Sequence, residues 1–413
     1  MRLLIDGVFF QLNNTGIARV WRSIVPTVAA RNGMEVLLLD RGGTPAIDGV
    51  ERVPFPSYEM GKYTAADSLL IQQICEYRNI DVFTSTYYST PVSVPMVLML
   101  YDMIPELFQA PRNRPWTEKD VAINYAQRFV CISQNTRRDL LAIYPEIPPS
   151  RASVGLCGVD PAAFKPRTKQ EIAAFKNQFG LGRPYVLLVG SRHQLNRYKN
   201  SALFFDAISR LNHVDFDVLC VGGESEIDRS MRDAMPQGAT IQRVELTDDE
   251  LGLAYNGAQT LVYPSLYEGF GMPVLEAMAC GCPVITTQHG SLAQAAGNAA
   301  CVISGESSGE LLQALDRVRE PAERKRLRAA GLSHASRFRW RHLADAFVQA
   351  LEELHAEAAS GMHEEFFHRW RELRELQASV DMAVPNPVRR RLEALIASSA
   401  GAAGQNHGNR GAR

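Results

Sequence analysis

Ser265–Thr287 reads SLYEGFGMPVLEAMACGCPVITT. Two carboxylates, Glu268 and Glu276, stand on either side of a Gly-Phe-Gly turn. The run before it, TLVYPS (Thr260–Ser265), is apolar and has strand character. The run after it, MPVLEAMACG, reads as a helix, with Pro273 suited to the first turn and Gly281 to the C-terminal cap. Val274, Leu275, Met278 and Ala279 share one side at helical spacing. Glu276 falls roughly opposite them, so it need not be buried in the core. Gly269 and Gly271 let the backbone turn with its N–H groups bare ahead of a helix N-terminus. That arrangement favours an anion, above all a phosphate.

The same strand–loop–helix alternation extends in both directions. Downstream of residue 183, strands are expected at Tyr185–Ser191, Phe216–Gly223, Thr240–Glu245, Pro283–Thr287 and Cys301–Ser304. Upstream they are expected at Arg2–Asp6, Glu35–Asp40, Asp81–Thr86, Met96–Asp102, Arg128–Ser133 and Arg151–Leu156. Their unbroken apolar character suits parallel sheets covered on both faces. GIARVWRSIVPTVAARNG (Gly16–Gly33) reads as a helix that Pro26 can kink. The Pro- and Lys-rich stretch Cys157–Ile172 separates the two series. The fold class is therefore α/β, with two doubly wound Rossmann-like domains facing across a cleft and a helical C-terminal extension. The boundaries read as 1–165, 166–345, helices over 346–396 packing back on the first domain, and a Gly- and Ala-rich disordered tail over 397–413. Ligands of such folds bind at the carboxyl ends of the strands.

Composition narrows the partners. The chain has 413 residues, 46% hydrophobic and 22% charged, with net charge −1. Nothing in that balance attracts nucleic acid. Seven cysteines, an odd number without zinc-site spacing, read as buried thiols of a reducing, cytoplasmic setting. No apolar run reaches the roughly 18 residues of a spanning helix, and MRLLIDGVFF is not expected to be a secretory leader. Arg19, Arg22 and Arg31 permit the helix from Gly16 to dock peripherally on the inner face of a membrane. A plain core helix explains the same pattern.

Eight residues separate the two glutamates, about 12 Å if helical. Glycosidase carboxylates lie about 5–9.5 Å apart, so the spacing argues for two binding acids rather than an acid–nucleophile pair. Each would hold hydroxyls on a different part of one ligand, with the glycine turn on its phosphate. A second constellation, VLLVGSRHQLNRYKN (Val186–Asn200), is a strand and a loop with Arg192, Arg197 and Lys199. Three cations there can neutralise a diphosphate. Solvated surface charges are the plainer reading of such a loop by itself. DGVFFQLNNTGIAR (Asp6–Arg19) is a strand, a polar loop and a helix opening at Gly16, whose amides can face the same anion. LMLYDMIPELF (Leu98–Phe108) ends a strand at the cleft with Tyr101 and Asp102.

These motifs together resemble the retaining GT-B glycosyltransferases of family four, whose E-x7-E signature continues here through EAMACGCPVITT. The resemblance covers most of residues 1–339. It implies that Glu268 and the amides of Gly269, Phe270 and Gly271 contact the donor sugar and diphosphate, and that Glu276 holds the nucleotide ribose. It assigns Arg192 and Lys199 to the diphosphate, with Arg197 an alternative because the Arg–Lys gap is long. Gly16 matches the family's N-terminal glycine loop. Tyr101-Asp102 stands where the family often has His-Asp, which puts the sugar-side contact there in question. The resemblance implies a metal-independent hexosyltransferase that uses no cofactor. Its donor is a nucleotide-diphosphate sugar, GDP-mannose the first guess, and its acceptor a hydroxyl of a glycan or lipid-linked molecule in surface polysaccharide biosynthesis. Two other readings stay open: a catalytically silent nucleotide-sugar-binding subunit, and a sugar hydrolase or phosphorylase on the same frame.

Overall fold

The structure, a computed structural model, describes residues 1–13, 16–59, 64–108 and 114–382. The expected helix out to residue 396 and the tail 397–413 fall outside the described residues from 383 onward.

The first domain is built on strands β1 (Arg2–Asp6), β2 (Glu35–Asp40), β3 (Val50–Pro54), β4 (Val82–Ser85), β5 (Val97–Leu100), β6 (Arg128–Cys131) and β7 (Ala152–Val154). They pair in the orders β3-β2-β1-β4 and β5-β6-β7, and a parallel bridge from Phe83 to Met96 joins the two sheets. The second domain uses β8 (Tyr185–Val189), β9 (Asp217–Val221), β10 (Ile241–Val244), β11 (Thr260–Tyr263), β12 (Val284–Thr286) and β13 (Cys301–Val302). Their order is β10-β9-β8-β11-β12-β13. The ladder pairings are parallel, and central residues such as Leu3, Leu4, Ile5 and Leu187 are fully buried. Helices therefore cover both faces, as the continuous apolar runs require. In each domain the strand order reverses beside the first strand, between β1 and β4 and between β8 and β11. Ligands of open α/β sheets bind at such a reversal. The loops after β8 and β11 carry Lys199 and Glu268.

Two elements differ from the sequence reading. β3 (VERVP) was not expected as a strand. Only Val53 is buried in it, and its charges and proline fit an edge position. A short helix, Val8–Leu12, occupies part of the expected polar loop after β1, held by buried Val8 and Phe10.

The chain crosses between domains twice. Gly158 lies against the main chain of Arg339 and Trp340, and the Val159 N–H donates to the Phe338 carbonyl at 3.2 Å. Helix Trp340–Ala358 then packs on first-domain helix Ile17–Ala29 and on β6. The Trp21 and Phe347 rings meet edge-on at 5.5 Å. Ile24, Val25 and Val28 are buried on that same helix, so its apolar side is covered and is not free to dock on a membrane. Helix Glu364–Met382 packs on helix Thr64–Tyr77, where Arg371 donates to Ser93 at 2.6 Å. No helix among the described residues is long and apolar enough to cross a membrane. All seven cysteines are buried and unpaired, and burial pushes the Cys131 and Cys282 thiols up to about 12.

The carboxyl end of β1 is closed by a buried ion pair. Arg41 binds both oxygens of Asp6 at 2.7 Å and reaches Asp67 at 2.7 and 3.0 Å. The Ser89 hydroxyl donates to Asp6 at 2.6 Å. Arg41 is 3% exposed and Asp6 0%. Arg41→Met is expected to lower stability by about 3–5 kcal/mol, because it strands a buried carboxylate. Denaturant unfolding checks this, and a loss below about 1 kcal/mol, the size of an exposed pair, would show that Asp6 needs no counter-ion.

Candidate functional site

The loop from Pro264 to Gly271 leaves β11 at the strand reversal and runs into helix Met272–Ala279. That helix ends as its sequence predicts. The Cys282 N–H donates to the Ala277 carbonyl, the Gly281 N–H donates to that of Met278, and Gly281 has φ 73°. Together these form a Schellman cap. At the other end, Gly271 has φ 103° and offers no side-chain cap, so no side chain takes up the first amides. Those amides and the helix dipole favour an anion. Gly269 is required for a different reason. A Cβ there would lie 1.9 Å from the Tyr101 carbonyl oxygen of the first domain.

Glu268 is 7% exposed. Both its oxygens accept from the Lys199 ammonium at 2.9 Å, and the Ser291 hydroxyl holds its main-chain carbonyl at 2.5 Å. Burial works to lower the Lys199 pKa, but the Glu268 carboxylate and the Tyr263 and Tyr198 phenols together hold it above the ordinary lysine value. Lys199 is therefore a fixed cation near neutral pH. The pair lies between the two loops of the strand reversal.

Glu276 corrects the sequence reading. It is 3% exposed, not on an open helix face. One oxygen pairs with Arg19 of the first domain, and the other accepts from the Tyr255 hydroxyl at 3.2 Å. Arg19 also pairs with Asp248. Burial raises the Glu276 carboxyl above its ordinary range, against the pull of Arg19. Spacing on one helix shows only which residues share a side. It does not show that the far side meets helix Asp248–Gly257 and the opposite domain. Arg19 stood in the quoted TGIAR motif, yet Tyr255 and Asp248 had no local signal.

The remaining site residues divide by where their polar atoms point. Arg192 is 4% exposed. Its guanidinium donates to the carbonyls of Gly190 and Gly222 at 3.0 Å and of Glu224 at 3.2 Å. It ties together the ends of β8 and β9 instead of offering a free cation. Glu224 completes that corner. Burial would raise its carboxyl, but the Ser191 hydroxyl and the Arg192 N–H hold it down to about 2. Arg197 is exposed, on the turn Gln194–Lys199. Phe270 is 3% exposed and packs on Phe338, so only its main chain can serve a ligand. Gly16 has φ 50° at the start of helix Ile17–Ala29 without a side-chain cap.

Tyr101 is a second correction. Its ring lies in the first-domain core. The hydroxyl accepts from Trp21 Nε1 at 2.5 Å and donates to the Thr86 carbonyl at 3.3 Å. It does not face a sugar, so it supplies no contact where the family often has His, the departure that motivated the silent-subunit reading. Asp102 is half-buried, and its side chain accepts from the Ile104 N–H at 3.0 Å. Across the boundary, the Thr136 hydroxyl meets the carbonyls of Tyr101 and Gly269 at 3.3 Å. The Tyr267 hydroxyl donates to Asp139 at 2.6 Å.

These contacts bring the domains close. Within the second domain, the ends of β8 and β11 and their loops enclose a space of only about 20 Å³. Beside it, Arg192, His193, Arg197, Asn200 and Phe205 line a cavity of about 550 Å³.

The family described as Glycosyltransferase Family 4 matches residues 15–163, and that described as Glycosyl transferases group 1 matches residues 183–321. The chain is 37% identical over 111 residues to the O-antigen chain mannosyltransferase B of Escherichia coli, covering 26% of this chain and 28% of that protein. It is 32% identical over 252 residues to the D-inositol 3-phosphate glycosyltransferase 1 of Catenulispora acidiphila, covering 56% and 58%. Matches to such relatives span from 26% to 64% of their length. The fold resembles that of WaaG, a glycosyltransferase involved in lipopolysaccharide biosynthesis, with TM-score 0.68 and 17% identity over 86% of this chain and 99% of that one. Anabaena HepE in complex with UDP and glucose gives TM-score 0.67 at 16% identity, covering 86% and 100%. With one matched segment on each side of the cleft, and the acidic glycine loop at the strand reversal of the second, the chain belongs to glycosyltransferase family 4, with the GT-B fold.

Proposed function

We propose that the protein transfers a hexosyl group from a nucleotide-diphosphate sugar to a hydroxyl of a glycan or lipid-linked acceptor, with retention of configuration. The observation that carries this reading is the loop Glu268–Gly271 at the strand reversal. It combines a carboxylate fixed by Lys199 with helix amides that no side chain caps, and Glu276 follows in the second turn of that helix. In this reading Glu268 takes donor-sugar hydroxyls and Glu276 takes the ribose. Lys199, Arg197 and the amides of Gly269–Gly271 stabilise the leaving diphosphate, which requires no metal. Arg192 holds the loop that carries them. Gly16 faces the donor from the first domain, and Asp102 lies at the cleft end of β5. The mannosyltransferase relative supports GDP-mannose as the first donor to test. That relative and the WaaG likeness support a role in surface polysaccharide assembly, in the cytoplasm at or near the membrane's inner face. The UDP complex of HepE makes UDP-sugars the necessary comparison.

Arg19 holds Glu276 across the domain boundary, so it must release Glu276 before that carboxylate can take a ribose. Closure after binding would then exclude water. A calorimetric panel of UDP, GDP, ADP, dTDP and their sugars tests the reading on wild type and Glu276→Ala. One nucleotide is expected to bind selectively and to weaken by about tenfold to a hundredfold in the variant, the size of lost charge-assisted hydrogen bonds. Binding of none of them overturns the proposal. Sugar release without any acceptor would favour the hydrolase.

A further inference from the structure

One wall of the cleft beside Glu268 is aromatic and open. Helix Ile104–Leu107 follows Asp102 and ends with Leu107 44% exposed and Phe108 47% exposed. A singly exposed apolar residue needs no explanation; the neighbours of this one supply the argument. The Phe108 ring lies 5.7 Å from that of Tyr198 and 5.9 Å from that of Tyr267, both on the second domain. Tyr198 directly precedes Lys199, whose ammonium lies 5.4 Å from the centre of the Tyr198 ring, and the Tyr267 ring reaches across to the first domain. Tyr267 is anchored through its hydroxyl to Asp139 and is 7% exposed. It cannot swing out to cover Phe108. The Lys199 ammonium holds Glu268 beside the Tyr198 ring, and Asp102 stands on the first-domain side, with its Cβ 3.2 Å from where a Gly269 Cβ would lie. The apolar platform is thus bordered by two carboxylates, one from each domain.

A ligand that fits this border has a flat apolar face and a rim of hydroxyls. A pyranose ring has that form: its C–H bonds can lie on an aromatic face while its hydroxyls donate to carboxylates at the edge. An alkyl chain does not fit, because burying it there would strip water from Asp102 without giving that carboxylate a donor. We propose that Phe108, with Tyr198 beside it, forms the acceptor subsite and stacks a hexopyranoside, one of whose hydroxyls donates to Asp102. This deepens the transferase reading and rests on it. The subsite spans both domains, so it is complete only when they are closed.

The test uses the full chain saturated with the nucleoside diphosphate selected by the panel. Saturation-transfer NMR is recorded with methyl α-D-mannopyranoside and methyl α-D-glucopyranoside as probes, and with mannitol and 1-butanol as controls. The ring C–H protons of at least one pyranoside are expected to receive saturation, and the open-chain polyol and the alkanol are expected to receive none. Phe108→Ala and Phe108→Leu are expected to weaken pyranoside binding by about tenfold, the size of a lost ring contact. Phe108→Tyr is expected to retain it, and nucleotide affinity is expected to hold in all three. Leucine keeps the bulk that touches Tyr198, so a site that needed only closure would survive Phe108→Leu. Equal pyranoside binding in wild type and Phe108→Ala overturns the proposal. So does binding of neither pyranoside while the nucleotide binds, or stronger binding of butanol. Failure of the nucleotide itself to bind is read separately in the panel and strikes the donor reading instead.

Discussion

Gly269→Ala is expected to lower transfer by about a hundredfold or more while both domains stay folded. The added Cβ would lie 1.9 Å from the Tyr101 carbonyl oxygen, 2.9 Å from its carbon and 3.2 Å from the Asp102 Cβ. Two of these three neighbours are main chain at the end of β5, which cannot move aside as a side chain can. The relief must come from the domain boundary, by more than 1 Å. A misplacement of about 1 Å is enough to cost a hundredfold where catalysis depends on positioning. Gly269 is not among the glycines of positive φ, so alanine adds a clash without backbone strain, and the open form has room for it. Nucleotide affinity of the open protein and the thermal melt should change little, while the turnover number falls. Activity within tenfold of wild type would show that the domains do not close to this distance during the reaction. Gly271→Ala is the contrasting case. Its φ of 103° strains any L-residue, and its Cβ meets the Leu292 Cδ2 at 2.8 Å within its own domain. That variant should lose stability as well as activity.

What the sequence showed well was local. The strand TLVYPS, the glycine turn and the cap at Gly281 each depend on neighbours a few residues away, and each appears in the structure. The two sheets followed from runs such as RLLID and YVLLVGS, because a strand covered on both faces writes its burial into every residue. Misreadings fell where a side chain's partner is far along the chain. Glu276 and Arg19 are 257 residues apart, and no spacing rule on one helix anticipates the other domain lying across it. Arg192 read as a ligand-facing cation because its type and position were right. Its guanidinium instead donates to carbonyls at the ends of β8 and β9, acceptors whose need for a donor arises only in the folded sheet. Tyr101 read as a cleft residue because the strand ends there. The alternation of a strand leaves open which of two consecutive side chains turns inward, and here Trp21 supplies the buried partner that draws the tyrosine in.

Lys199→Met is expected to remove both stability and transfer, and the two losses can be separated. The Glu268 carboxylate accepts from Lys199 through both oxygens, and the two side chains are only 20% and 10% exposed. Removing the ammonium leaves a nearly buried charge without its counter-ion, at a cost of about 3 kcal/mol. Transfer should fall by about 10²–10³-fold, the range seen when one donor aimed at developing charge is removed. The second substitution Glu268→Gln relieves the stranded charge. Lys199→Met/Glu268→Gln should therefore recover most of the stability and none of the activity. Deprotonation of Lys199 cannot mimic the single variant in ordinary buffers. Because the Lys199 pKa is raised in the folded protein, its contribution is fully present below the unfolded lysine value of about 10.4 and is lost only as pH rises through the higher folded value. Unfolding free energies of the four proteins at neutral pH, beside their turnover numbers, give the decision. If activity returns with stability in the double variant, the pair is a structural clamp and the cation that meets the diphosphate must be sought at Arg197.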